Sequence, residues 1–205
     1  LEVSLSAPGL TDYDRDQIRV EPLRVHFSGS AAPLEAVEKA AAGVVLDPPL
    51  AGAWTWEDDR TLHFQPQGDW PVGQHYAVSI DAKQTVADAV VLAPFDLQFD
   101  TAPFTVEARG AEFYQDPQDA KLKKAVWQFR FSHPVDAAKL ESALRSRMFD
   151  GAGRVLPSPA LSTQVSARKL DAWVHSAPLE LPPNGGQVFL DVGKGISSVL
   201  GGPGS

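Results

Sequence analysis

Apolar and polar residues alternate along much of this chain, most clearly in its first half. In the run from Trp54 to Phe64, apolar side chains lie two positions apart at 54 and 56 and at 62 and 64, and in the run from Trp70 to Ile80 they do so at 70 and 72 and at 76, 78 and 80. A charged turn at residues 57–60 separates the first run into two halves, and a Trp-Pro-x-Gly sequence opens the second run. A period of two is typical of half-buried β-strands. The pattern predicts paired strands whose aromatic rings face a shared core.

Shorter runs predict the remaining elements of the first half. Residues 11–16 are a polar, acidic entry segment, and Pro22 breaks the alternation of the run that follows it. The Ala-rich run that begins at Pro33 favours a short helix that ends before Gly43. The predicted elements are an edge strand and a second short strand within Ile18–Phe27, a helix over Pro33–Ala42, a strand over Val44–Leu46, a loop over Ala82–Ala93 and a closing strand over Phe95–Phe99.

The second half repeats this order with a drifting offset. Phe27 aligns with Phe131, and Val78 aligns with Leu190. The predicted elements are strands at 105–113, 123–132, 154–156, 165–175 and 188–192, a helix opened by Pro134 and Asp136, and a corner at 182–186. The second half shows no counterpart of the closing strand. Either that strand lies outside the sequence, or the segment at Thr105 supplies it.

These elements predict an all-β protein of two tandem Ig-like antiparallel β-sandwich domains, each with one short helix. The first domain is expected at residues 1–102 and a second, divergent one at residues 103–205, which is truncated if its closing strand lies outside the sequence. The chain starts without Met and ends in a Gly-rich tail, so we expect a fragment of a longer protein.

Charge and composition remove several classes of function. Residues 1–103 carry 16 acidic and 6 basic side chains, a net charge of −10, and residues 104–205 carry 10 and 12, a net charge of +2. An acidic half repels phosphate backbones, so we expect no nucleic-acid binding. The chain has no cysteine, which excludes disulfides, thiolate metal ligands and thioesters from these residues. No apolar run approaches the ~20 residues of a membrane helix, so we expect no membrane insertion by this segment.

Motifs that could carry chemistry fail on spacing or context. Asp12, Asp14 and Asp16 resemble the start of an EF-hand loop, but Gln17 and Leu23 stand where that loop needs Gly and Glu. A solvated acidic segment is therefore the better interpretation. No P-loop, G-x-S-x-G or G-x-G-x-x-G sequence occurs either.

A serine–lysine pair and five histidines are the other candidates. Ser166 and Lys169 match S-x-x-K, but the pair lies in a strand-like run instead of at the start of a helix. The histidines lack the spacing of a metal site; they are His26, His63, His75, His133 and His175. We therefore expect no catalytic, cofactor-binding or metal-binding residues, no cofactor, and no enzyme activity.

Two surface hypotheses concern the aromatic-rich hairpin. Glu57, Asp58 and Asp59 could form an acidic partner-binding tip, or a solvated turn in which Arg60 pairs with a neighbouring carboxylate. The aromatic residues could form a sugar-stacking platform, but rings that share a strand face suit a sandwich core better. They are Trp54, Trp56, Phe64, Trp70 and Tyr76.

Three sequence stretches carry a resemblance to a known family. Residues 56–66, Trp-Glu-Asp-Asp-Arg-Thr-Leu-His-Phe-Gln-Pro, precede residues 70–78, Trp-Pro-Val-Gly-Gln-His-Tyr-Ala-Val, and residues 131–136 are Phe-Ser-His-Pro-Val-Asp. The first two resemble a pair in the N-terminal Ig-like domain of bacterial α2-macroglobulins, and the third resembles another recurrent element of that family. The resemblance covers residues 18–100 well and the second half only in its first third. It is strongest to the paralogue that lacks the thioester.

The resemblance implies a periplasmic protease trap associated with the inner membrane through other regions of the molecule. Its bait region would lie outside this chain, which would be an N-terminal scaffold and binding fragment. The implied partners are proteases, through those other regions, and further periplasmic or membrane proteins of the same operon. The alternative is an Ig-like spacer or adhesive module of a bacterial surface protein.

Overall fold

Backbone pairing in the computed structural model gives four antiparallel sheets among the residues that it describes, which are 1–13, 18–202 and 204. The chain divides into two units, Leu1–Pro103 and Phe104–Ser205, with two sheets in each. The all-β, Ig-like sandwich class predicted from the alternating pattern is confirmed. None of the described helices has the length and apolarity needed to cross a bilayer.

The first unit packs a four-stranded sheet against a three-stranded sheet. The four-stranded sheet has the order β1 (Val3–Ser6), β2 (Leu23–Phe27), β5 (Thr61–Pro66), β4 (Gly52–Trp56). The three-stranded sheet has the order β3 (Val44–Asp47), β6 (His75–Ile80), β7 (Gln98–Asp100). The one α-helix among the described residues of this unit, α1 (Ala82–Thr85), begins after Asp81, whose carboxylate accepts a hydrogen bond from the Lys83 N–H.

Aromatic rings from both sheets meet in the core of the first unit. Trp70, in the corner before β6, lies 5.8 Å from Phe64 of β5 and 5.7 Å from Phe99 of β7, measured between ring centroids. Tyr76 stacks on Phe99 at 5.3 Å. Edge-to-face and offset stacking at these distances is favourable beyond the burial of area. One continuous cluster therefore joins the two sheets.

The prediction of a helix over Pro33–Ala42 is wrong, because backbone groups of this segment form hydrogen bonds with the edge of β4 instead of with one another. Only a 3₁₀ turn forms, at Leu34–Ala36. Beyond it the N–H of Glu38 donates to Trp56 O at 2.8 Å and the N–H of Ala41 donates to Trp54 O at 2.9 Å. A ten-residue helix is marginal in water, whereas an unpaired strand edge offers these groups partners in the fold.

Other differences in the first unit are local. The run predicted around Ile18 is reduced to one bridge, Asp12 to Arg19, although the short strand after Pro22 is confirmed as β2. The first strand, β1, was not predicted. The loop at 82–93 begins with α1, and the closing strand is shifted to β7. Asp14 and Asp16 lie outside the described residues.

The second unit also has a four-stranded and a three-stranded sheet. The first has the order β12 (Leu161–Val165), β13 (Asp171–Ser176), β9 (Lys123–Phe131), β8 (Val106–Gln115). The second has the order β11 (Val155–Leu156), β10 (Leu144–Asp150), β14 (Gly186–Val192). The predicted helix is confirmed as α2 (Ala137–Ala143), where Asp136 caps the N–H groups of Ala138 and Lys139.

The two units repeat one topology. In sheet position and chain order, β8, β9, β12 and β13 correspond to β1, β2, β4 and β5, while β10 and β14 correspond to β3 and β6. The Thr105 segment does not supply a closing strand, because β8, which follows it, pairs with β9 in the other sheet. Among the described residues β7 has no counterpart in the second unit, and β11 is an addition.

Two predictions for the second unit need correction. The strand expected over 165–175 is two strands, because residues 166–170 form a tight turn in which Lys169 has a φ of 58°. That turn is closed by a hydrogen bond from the N–H of Lys169 to Ser166 O at 2.9 Å. Strand β10 was not predicted at all.

The burial of Phe64 generates a stability prediction. Its side chain is only 3% exposed and contacts two tryptophan rings. Phe64→Ala should lower the free energy of unfolding of the first unit by about 3–5 kcal/mol, because it leaves a cavity between the sheets. Urea unfolding followed by tryptophan fluorescence measures this change.

The matched control is Val91→Ala, since that side chain is 79% exposed. It should change the free energy of unfolding by no more than about 0.5 kcal/mol. A loss below about 1 kcal/mol for Phe64→Ala would contradict the buried position of this ring.

Candidate interaction surfaces

The aromatic side chains that could have formed a sugar-binding platform are inside the first sandwich. Trp54 is 8% exposed, Trp70 4% and Tyr76 1%. The indole N–H of Trp70 donates to Glu21 O at 2.8 Å, so its polar edge is also satisfied within the fold. A platform needs ring faces in solvent, and these rings offer none. The core interpretation of the hairpin is correct.

The acidic hairpin tip is tied to the strands beside it. Glu57 pairs with Arg24 at 2.8 Å. The carbonyl oxygen of Asp59 accepts hydrogen bonds from the N–H groups of Ala31 and Ala32, at 2.7 and 3.2 Å. Arg60 lies 3.8 Å from the Asp59 carboxylate, as the solvated-turn hypothesis predicts. The tip therefore closes the end of the sandwich.

The hydrogen bond from the Arg24 guanidinium lowers the pKa of Glu57. Both side chains remain substantially exposed, at 32% and 43%. Exposed ion pairs of this kind contribute less than about 1 kcal/mol to stability. The pair orients the tip more than it stabilises the unit.

One polar cluster was not foreseen, and it holds the entry segment. Asp69, beside the Trp70 corner, accepts hydrogen bonds from the Thr11 hydroxyl at 2.8 Å, from the Tyr13 hydroxyl and from the Trp70 N–H at 2.8 Å. Burial, together with the hydrogen bond to Asp69, raises the pKa of Tyr13 far above its ordinary value. Thr11 and Tyr13 are buried, so the cluster anchors the segment to the core.

The five histidines are dispersed through both units. His26 contacts the Ser6 hydroxyl at 3.1 Å, His75 the Asp100 carboxylate at 2.9 Å, and His133 the Ser132 hydroxyl at 2.9 Å. His63 lies on β5 and His175 on β13. Within the described ranges no three His, Asp or Glu side chains are grouped so that they could hold a metal ion.

Ser166 and Lys169 lie in the turn between β12 and β13, not on a helix. The Ser166 hydroxyl accepts hydrogen bonds from the N–H groups of Leu170 and Asp171, at 3.2 and 3.1 Å. A hydroxyl that caps a turn in this way is engaged in backbone structure. The arrangement lacks the helix start that serine–lysine chemistry needs.

The second unit exposes an aromatic and charged patch on the outer face of β10 and β14. Phe149 and Phe189 meet edge to face at 5.8 Å, and the Arg147 guanidinium lies 5.9 and 5.7 Å from their ring centroids. Arg147 also pairs with Asp191 at 2.6 Å, and this hydrogen bond lowers the pKa of Asp191. Arginine and aromatic side chains are enriched at protein interfaces. This patch is therefore a candidate docking surface.

Two apolar depressions flank Leu179 in the second unit. A proline-rich groove of about 620 Å³ lies between β11 and residues 177–183. A cleft of about 210 Å³ opens between the two sheets, and its lining includes Phe113, Trp127 and Val188.

Two known proteins are similar in sequence to this chain. No protein-family model matches the chain. The chain is 33% identical over 197 residues, 96% of its length, to an alpha-2-macroglobulin homolog of Yersinia pestis. It is 32% identical to an alpha-2-macroglobulin of Pasteurella multocida in an alignment of 207 positions that covers 94% of this chain. It spans only about 10% of the length of each relative.

The Tyr13–Asp69 contact predicts a loss of stability at high pH. The folded-state pKa of Tyr13 lies above the unfolded value of about 10, so the folded state holds this proton more tightly. The contribution of the protonated Tyr13 phenol to the free energy of unfolding is therefore complete below pH ~10 and is lost as the pH rises above that value. Tyr13→Phe should reduce the fall in the urea midpoint between pH 8 and pH 11.

Burial also raises the pKa of Tyr76, so Tyr13→Phe should reduce the pH dependence without abolishing it. Tyr114→Phe is the comparison for an exposed phenol, because Tyr114 is 40% exposed on β8. Desolvation and the hydrogen bond that its hydroxyl donates to Asp116 at 3.2 Å raise the pKa of Tyr114 as well, but Tyr13 is buried, so Tyr114→Phe should change the pH dependence less than Tyr13→Phe does. An unchanged pH dependence in Tyr13→Phe would show that the phenol does not hold its proton through Asp69.

Proposed function

We propose that this chain, which belongs to the alpha-2-macroglobulin family, is an N-terminal scaffold segment of a bacterial protease trap. The observation that carries the proposal is the similarity along nearly the whole chain to proteins about ten times as long as the match. A segment of that size supplies two modules of a large molecule. The trapping step would belong to the molecule as a whole.

The internal chemistry of the chain supports a scaffold role. The groups that could have served a reaction or a ligand are engaged in holding the backbone. The Ser166 hydroxyl caps a turn, Asp69 anchors the entry segment, and the aromatic rings of the hairpin fill the core. Alpha-2-macroglobulins are protease inhibitors rather than catalysts. A non-enzymatic role for this segment is consistent with both observations.

In a trap of this kind a protease cleaves a bait region, and the large molecule then rearranges around the protease. Rigid modules are needed to transmit and hold such a rearrangement, because a packed core resists continuous deformation. The aromatic cluster of the first unit is suited to that task. The outer patch around Arg147 and Phe189 would offer a docking face, either to other modules or to proteins of the same operon.

The proposed location is the bacterial periplasm, with attachment to the inner membrane through regions other than this segment. The resemblance to bacterial α2-macroglobulins supports this location. The absence of cysteine is compatible with it, since domains of about 100 residues can build a sufficient core without disulfides.

A protease assay with the full-length natural protein tests the proposal. Trypsin incubated with that protein should lose activity on a large protein substrate but keep most of its activity on a small nitroanilide substrate. A trapped protease retains an open active site, and only large substrates are excluded by the surrounding protein. The 205-residue chain alone should change neither activity.

A small active-site inhibitor is the control, because it should reduce both activities equally. Equal loss of both activities with the full-length protein would indicate active-site inhibition and contradict a trap. Inhibition of either activity by the 205-residue chain alone would contradict the scaffold role.

A further inference from the structure

The two units share one topology but differ at one strand edge: among the residues described, β6 has a neighbour on both sides, and its counterpart β14 has one on a single side. In the first unit β6 lies between β3 and β7, whereas its counterpart β14 pairs with β10 alone in the described part of the chain. The pairings Val44 with Ile80 and Leu144 with Val192 align the two strands residue by residue. Tyr76, Val78 and Ile80 thereby correspond to Val188, Leu190 and Val192.

The backbone of β14 is oriented to receive another strand. Directly after β14, the N–H of Gly193 donates to Ala143 O at 2.8 Å. Hydrogen-bonded and non-bonded pairs alternate in an antiparallel ladder. Val188, Leu190 and Val192 therefore direct their N–H and C=O groups away from β10. In the first unit the corresponding N–H, that of Val78, donates to Leu97 O at 2.9 Å, just ahead of β7.

The side chains on the inner face of β14 are also incompletely covered. Tyr76 and Val78 are 1% and 5% exposed, but Val188 and Leu190 are only half-buried. Val192 is 45% exposed although it shares its face with Val188, which packs against the core. One further strand paired with β14 would bury the apolar side chains of this inner face, which now remain in contact with water.

The opposite wall of the inter-sheet cleft shows the same incomplete burial. Trp127 of β9 is half-buried, whereas Leu23, its counterpart in β2, is fully buried. Phe113 of β8 is 53% exposed and lines the cleft together with Trp127 and Val188. These apolar groups would pack against alternate side chains of a strand laid along β14.

We infer that the outer edge of β14 and the adjoining cleft bind an extended, antiparallel strand, supplied by the same polypeptide outside these 205 residues. The residues opposite Val188 and Leu190 would be apolar, as Phe99 and Leu97 are opposite Tyr76 and Val78. The strand would follow β14 along the chain, as β7 follows β6.

Two observations favour this occupant over an unrelated peptide. The relatives extend far beyond the matched segment, which is only about 10% of their length. Natural proteins protect free edges with lysine, proline or bulges. The one charged side chain of β14, Asp191, is already paired with Arg147. An edge of this kind is suited to permanent pairing within one molecule.

Hydrogen exchange resolved to single residues tests this inference, with the 205-residue chain compared with the full-length natural protein. The amides of Val188, Leu190 and Val192 should exchange more slowly in the full-length protein by about tenfold or more. The amides of Arg145 and Arg147 face β14 and should be protected in both proteins. They report that the β10–β14 ladder is intact.

A proline pair separates strand addition from general damage. Val192→Pro in the full-length protein removes an outward N–H of β14 and should restore fast exchange at Leu190. Val155→Pro is the matched control on the opposite edge of the same sheet. Val155 is 77% exposed, and its N–H points away from β10 because the hydrogen bond from Asp150 N to Arg154 O sets the alternation there. It should leave the protection of Leu190 unchanged.

Equal exchange at Val188, Leu190 and Val192 in the two proteins would overturn the inference. Protection in the 205-residue chain that increases with protein concentration would also overturn it, since the strand would then come from a second copy. Neither outcome bears on protease trapping, which the two-substrate assay measures separately.

Discussion

The first unit depends on the contact of Trp70 with rings from both sheets. This side chain lies in the corner between β5 and β6, touches Phe64 on one side and Phe99 on the other, and donates its N–H to Glu21 O. Removing water from such rings supplies the largest favourable term in folding. The Trp-Pro-x-Gly corner and the entry segment meet beside this residue. Asp69 joins them, because its carboxylate accepts hydrogen bonds from the backbone N–H of Trp70 and from the hydroxyls of Thr11 and Tyr13.

Repetition of one topology makes the differences between the units informative. The first unit pairs both edges of β6 and fills its core with large rings. Among the described residues of the second unit only one edge of β14 is paired, and Trp127 and Val188, which pack against the cluster of Ala125, Met148 and Leu179, stay half-buried. The free edge and the half-buried side chains beside it are the observations behind the strand addition that we infer for the second unit.

The strands with strong alternation could be predicted from sequence, because large apolar side chains at every second position are compatible with few structures other than a half-buried strand. Strand β10 was missed because Ser146 interrupts its inner face, between Leu144 and Met148, so that hydrophobicity is weak there. The helix over 33–42 was wrong because the competing partner, the edge of β4, exists only in the folded unit. The Tyr13–Asp69 contact joins residues 56 positions apart, and no local pattern announces it.

Among the candidate sites, the buried position of the aromatic rings could be predicted from sequence, since rings on one strand face pack into the same core. The outer patch on β10 and β14 could not be predicted. That patch arises because Arg147, Phe149 and Phe189 come from strands about 40 residues apart and meet only through strand register. A surface whose residues are brought together only by strand register cannot be recognised from a single sequence.

The half-buried indole of Trp127 has a spectroscopic consequence. Its ring lines the wall of the cleft, so its emission maximum depends on whether water or protein atoms lie next to it. The indoles at 54, 56 and 70 are buried and contribute a blue background, whereas Trp173 on β13 is also half-buried, so the signal of Trp127 is read as the difference from a Trp173→Phe variant. The protein therefore carries a built-in optical reporter of events at the edge of its second sandwich, readable without any added label.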